Sequence, residues 1–155
     1  MKYRGLHWLP FLGCLVVMPL AAAEGVAGTV KAVSGKVTGE REGVRRDLKP
    51  GDPIYPGERI RTEGGAHAAV TLRDDTRIAA GQKTVFEIKA FEYDTTRQDG
   101  NLVVSVSRGI TAFVSGALAK AGIDRMKVVA PTATAGIRGT EFVVEVEPGG
   151  WLNDE

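Results

Sequence analysis

The sequence predicts an all-β fold: a small β-sandwich or β-helix-like module of short antiparallel strands, with at most one helical turn after the amino-terminal segment. Three observations carry this. Apolar residues recur at every second position, as at Ala66, Ala68, Val70 and Leu72, and not with the 3.6-residue period of a helix. The alternating runs are short and are separated, at intervals of about 8–12 residues, by glycine-bearing turn signals. Residues 48–57 hold three prolines and two glycines, which neither a helix nor a central strand tolerates.

The elements follow in order from Glu24. Residues 29–33 alternate and are rich in β-branched side chains, Ser34-Gly35 signals a turn, and residues 36–38 read as the returning strand. Residues 39–43 read as a second turn and 44–47 as a short polar strand. Residues 48–57 are an ordered crossing loop anchored by Ile54 and Tyr55. A strand over 58–62 turns Ile60 inward, and Gly64-Gly65 leads into the strand over 66–72. Arg73-Asp74-Asp75-Thr76 makes a hairpin turn before a short strand ending at Ala79. Residues 84–93 alternate most cleanly, with Val85, Glu87, Lys89, Phe91 and Tyr93 opposite Phe86, Ile88, Ala90 and Glu92. Residues 95–100 form a polar loop. Residues 101–107 put Leu102, Val104 and Val106 on one face, and Arg108-Gly109 turns the chain back into 110–114. Residues 115–122 are the candidate helical turn, strands cover 125–130 and 141–146, and 148–155 read as a flexible acidic tail containing Trp151.

The amino terminus reads as a signal peptide over residues 1–23. Lys2 and Arg4 precede an apolar run of about 15 residues, short of the ~20 that span a bilayer, and Ala21-Ala22-Ala23 offers a cleavage site. An uncleaved anchor and a lipoprotein, the latter from Phe11-Leu12-Gly13-Cys14, are the competing readings. Cleavage after Ala23 removes two of the 20 basic residues and none of the 19 acidic ones, for a net charge of −1. A nucleic-acid partner relies on a basic field, so that balance argues against one. Cleavage also removes Cys14, the single cysteine, and with it disulfide and thiol chemistry. The product is a domain over 24–147, delivered to the periplasm or secreted.

Catalysis lacks parts. After residue 23 there is one histidine, His67, set to point away from the Ala66–Leu72 face, and neither Ser105 nor Ser115 stands in a nucleophile context. One histidine cannot close a zinc site, and Asp74-Asp75, Asp94 and Asp99 do not form a calcium-loop pattern. Gly64-Gly65 and the glycines at 136 and 139 open no phosphate-binding helix. The sequence therefore predicts no catalytic residue, no metal and no cofactor.

The distinctive stretch is residues 128–144. Pro131 denies the ladder an N–H and ends the strand before it. Gly136 and Gly139 bracket Ile137-Arg138, where the backbone can bend or be approached closely. Arg138 has two readings: a half-buried guanidinium tying strand carbonyls and Glu141 together, or a contact facing a partner.

Pro131-Thr132-Ala133 with Gly136-Ile137-Arg138-Gly139-Thr140-Glu141-Phe142 resembles the signature near the end of the FecR domain, the periplasmic β-rich module of regulators that sense iron–siderophore transport. Upstream, Gly51-Asp52 and Gly57 with Ile60 and Thr62 resemble that family's glycine–aspartate segment, and residues 69–76 resemble its next hairpin. The similarity runs from about residue 28 to 147. It implies a small β-sandwich or β-helix-like module and, in the family's regulators, a cytoplasmic anti-sigma segment and a membrane helix ahead of it. Here five residues precede the apolar run, so the sequence predicts a stand-alone domain. The expected role is a non-catalytic binding or signalling module whose partner is another envelope protein. The alternative is a structural or carbohydrate-binding envelope component that uses the 84–93 face.

Overall fold

The computed structural model describes residues 25–139 and 141–147. Its elements are β1 (Gly28–Ser34), β2 (Val37–Arg41), β3 (Val44–Asp47), β4 (Pro53–Ile54), β5 (Arg59–Thr62), β6 (His67–Leu72), β7 (Arg77–Ala80), β8 (Val85–Asp94), β9 (Asp99–Val114), α1 (Ala117–Ala121), β10 (Met126–Ala130), β11 (Ala133–Gly136) and β12 (Glu141–Val146). The fold is all-β with one short helix, as the alternation predicts.

One strand determines the architecture. The sequence reading breaks residues 101–114 at Arg108-Gly109 into two strands joined by a turn, whereas β9 runs through as one strand of 16 residues. Gly109 bends it without reversing it, at φ +87°. Before the bend, β9 pairs with β8 on one side and β10 on the other. After the bend, its neighbours are β7 and β12. Thr84 locks the corner: its hydroxyl accepts from the Ile110 N–H and donates to the Ile110 carbonyl, both at 3.1 Å. A Cβ on Gly109 would lie 2.3 Å from Thr84 Oγ1 and 2.6 Å from Thr84 Cα.

The sheet thus curls about β9. One half runs β3-β2-β5-β8-β9-β10-β11 and the other β12-β9-β7-β6-β1-β4. The strand pairs are antiparallel except β10 with β9, which run parallel from Met126↔Leu102 to Val129↔Ser105. A parallel pair needs a crossover, and α1 with its flanking loops supplies it. Both halves feed one core: Val30, Val70, Ile78 and Phe113 meet Ile60, Phe86, Ile88, Leu102 and Met126, with Leu118 of α1 closing one end.

Four further expectations change. Residues 36–38 do not return along β1, because Gly35, at φ +71°, carries the chain into the other half, where β2 pairs with β3 and β5. Gly39 lies within β2; the turn is Glu42-Gly43, both at positive φ. In β8 the alternation slips: Ile88 faces Val104 and Ala90 faces Val103, so Lys89 is an extra residue. Phe91 therefore turns inward with Phe86 and Ile88. The polar loop shortens to 95–98, because Asp99 and Gly100 already pair with Asp94 and Tyr93.

Gly109→Ala should lower the unfolding free energy by about 2 kcal/mol or more, through the positive φ and the collision with Thr84. Gly81→Ala is the control, since its Cβ would meet Ile110 at 3.5–3.8 Å, an ordinary contact. Equal losses for the two in urea titrations would contradict a constrained corner.

Candidate functional site

The motif at 131–142 folds into a hairpin and the start of β12. β10 and β11 pair from Ala130↔Ala133 to Lys127↔Gly136, so Pro131-Thr132 is a two-residue turn and Pro131 ends β10 as predicted. The strand β11 itself is new, because two alanines and a glycine are poor strand formers and a single threonine among them gives no alternating pattern. Gly136 belongs there: its Cβ would lie 2.8 Å from the Ile123 carbonyl oxygen. Gly139 has no positive φ and open space around it among the described residues, which give no steric reason for a glycine there. Ile137 is half-buried against the core, and its N–H donates to the Met126 carbonyl at 2.8 Å. Phe142 stacks on Phe113, with centroids 4.8 Å apart and planes at 7°. Glu141 is exposed opposite Val114, and Thr140 lies outside the described residues.

Arg138 is exposed and makes no hydrogen bond or ion pair among the described residues. The expectation of a half-buried guanidinium bridging carbonyls and Glu141 is corrected on that point. Ile137 and Phe142 anchor the corner through burial instead, which leaves the guanidinium in solvent.

The upstream motif is internal structure. Gly51 and Gly57 sit at φ +95° and +77°, where other residues are strained. Asp52 accepts from the Lys49 N–H at 2.8 Å, and its carbonyl accepts from the Val30 N–H at 2.9 Å. Ile60 is fully buried. The Thr62 hydroxyl donates to the Gly81 carbonyl at 2.6 Å and accepts from the Thr84 N–H at 2.9 Å. The residue that sequence reasoning missed is Glu58, a carboxylate only 1% exposed. Arg46 donates to it at 2.8 and 3.2 Å, and the Tyr55 N–H at 3.0 Å. The carboxylate also occupies the space beside Gly39, where a Cβ would lie 2.3 Å from Oε1. A buried carboxylate needs such partners, and a glycine opposite it in a strand was the available signal.

A family model described as FecR protein matches residues 58–151. The chain belongs to the FecR protein family. The match takes in Glu58, Ile60, Thr62 and the whole of the later motif; Gly51, Asp52 and Gly57 precede it. This is a signalling and regulatory family. No curated protein matches the chain. A solved structure described as a cell surface anchoring domain is similar at 31% identity over 41% of this chain and 84% of that chain, with a TM-score of 0.39.

Elsewhere in this FecR domain, the buried carboxylate of Asp74 is also engaged structurally. Asp74, 1% exposed, accepts from the N–H and hydroxyl of Thr76 at 3.1 and 2.8 Å and holds the start of α1 through Leu118 N–H at 3.4 Å. His67 is exposed at the start of β6. On the 84–93 face, Glu87 pairs with Arg59 at 3.0 Å and Lys89 at 3.2 Å. No group of three or more His, Cys, Asp or Glu able to hold a metal occurs among the described residues, nor is any of their helices long and apolar enough to cross a membrane.

Arg46→Ala should cost about 3 kcal/mol, because it strands the Glu58 carboxylate. Arg138→Ala should stay within about 0.5 kcal/mol of wild type, as surface substitutions do. Denaturant titration of both variants checks the division between internal and outward motif residues. A large loss at Arg138 would restore it to a structural role.

Glu87 supplies a pH test. Burial pushes its carboxyl up, but hydrogen bonds from Arg59 and Lys89 outweigh this and hold it below the usual 4.5. A lowered folded-state value means the contribution to stability is present above the unfolded carboxylate's value and is lost as pH falls through the folded one. Glu87→Gln should therefore flatten the decline in stability below about pH 4.5. An unchanged acid limb would contradict this assignment.

Proposed function

We propose that this FecR-family chain is an exported, non-catalytic protein-recognition and signalling module of the bacterial cell envelope, released by cleavage after Ala23. The observation that carries the reading is Arg138. It stands inside the family-matched segment, its neighbours Ile137 and Phe142 are packed against the core, and its own guanidinium is exposed and unpaired among the described residues. An exposed arginine flanked by residues packed against the core suits a planar donor kept for a carboxylate of another molecule. The buried Glu58 and Asp74, by contrast, are hydrogen-bonded within their own chain, and His67 has no nucleophile paired with it among the described residues. The partner on this reading is another envelope protein, and the chain carries out no bond making and binds no nucleic acid.

The test is crosslinking in intact cells with tagged full-length protein, alongside Arg138→Ala. The expected result is one recurrent envelope protein, lost in the variant while the variant stays folded and exported. Recovery of the protein on sedimented peptidoglycan, with no protein partner above background, would overturn the reading in favour of a structural or carbohydrate-binding component.

A further inference from the structure

Unpaired strand edges invite association with other chains, and folded proteins blunt them with charge, proline, brevity or bulges. Four strands of the curled sheet have a single partner among the described residues: β3, β4, β11 and β12. β3 carries Arg45, Arg46 and Asp47. β4 is two residues long and begins with Pro53. β12 carries Glu141 and Glu145. β11, Ala-Thr-Ala-Gly, is short but carries no charge, no internal proline and no bulge: its register with β10 is regular over all four residues, each of them exposed.

The free hydrogen-bonding groups of that edge follow from the ladder. Ile137 N–H bonds to the Met126 carbonyl, which makes this pair a hydrogen-bonded one. Antiparallel pairs alternate, so Val128↔Ala135 and Ala130↔Ala133 are also bonded, while Thr134 and Gly136 direct their N–H and C=O away from β10. Small side chains leave those four groups accessible. The hairpin is also held in shape beforehand, by Pro131 in its turn and Ile137 on the core, which lowers the cost of ordering it in a complex. At the Gly136 end stand two exposed cations, Lys127 and Arg138, neither in an ion pair among the described residues. Nearby Asp99 is taken by Arg125 at 3.1 Å.

We infer that the β11 edge accepts an extended segment of a second protein as an added strand, with an acidic residue of that segment placed against Arg138 and Lys127. This rests on the protein-recognition reading above and gives it a surface and a partner chemistry. Main-chain bonds to Thr134 and Gly136 supply the affinity, and the cationic end selects an acidic sequence and sets its register.

The experiment places benzoylphenylalanine at Ala133 in the full-length protein, crosslinks in intact cells, and maps the captured residues by mass spectrometry. It is repeated with Thr134→Pro, which removes an outward N–H but no bond to β10, and with Arg138→Glu. Each variant should keep the wild-type melting temperature and lower the crosslink yield at least about tenfold, the effect of one lost charged or main-chain hydrogen bond. The captured segment should contain Asp or Glu. Full crosslinking in Thr134→Pro, or capture of a second copy of this chain, would overturn the strand-addition inference while leaving protein recognition standing. No capture from Ala133 or from control positions at Lys36 and Val143 would overturn both.

Discussion

The bend in β9 is the constraint on which the rest of the fold depends. A 16-residue strand shared by two halves of one sheet lets a small chain build a closed core without disulfides after residue 23. The bend exists because Gly109 adopts a conformation other residues resist and because the Thr84 hydroxyl holds both polar groups of Ile110. That corner decides the partners of every later strand. β10 lies along β9 before the bend, β12 along β9 after it, and β11 is left as the outermost strand of its half.

The two motifs play opposite parts on this frame. The upstream one is turned inward: Gly51 and Gly57 shape the crossing loop, Asp52 stitches it to β1, and Glu58 joins loop, β2 and β3 through one buried carboxylate. The downstream one is turned outward: Pro131, Gly136, Ile137 and Phe142 fix a hairpin and a corner, and Arg138 and the edge of β11 are what those residues present. Rigid support beneath an exposed donor suits recognition, because little ordering remains to be done on binding.

Much of this was legible in the sequence, and what was not has identifiable causes. The inward faces of β6 and of Leu102, Val104 and Val106 follow from period-two alternation, and all are buried. The Pro131 stop and the Arg73-Asp74-Asp75-Thr76 turn follow from local backbone chemistry. Strict alternation sets Phe91 opposite Phe86 and Ile88, but a bulge at Lys89 adds one residue and exchanges the faces, and period two alone does not reveal a bulge. Arg108-Gly109 signals a reversal as readily as a bend, because a positive-φ glycine serves either; only the pairing of its flanks distinguishes them. The burial of Glu58 is not legible in its own strand, since the arginine that neutralises it comes from a different one. Arg138 was open to two readings because exposure is a tertiary property, set here by burial of the residues around it.

The most direct measurement is residue-resolved amide hydrogen exchange on the isolated protein. The account predicts protection at Ala133, Ala135 and Ile137, whose N–H groups bond to β10, and fast exchange at Thr134 and Gly136, whose N–H groups face outward. Equal protection at all five positions would mean that the edge is already covered by the chain itself. That result would contradict an edge held open for a partner.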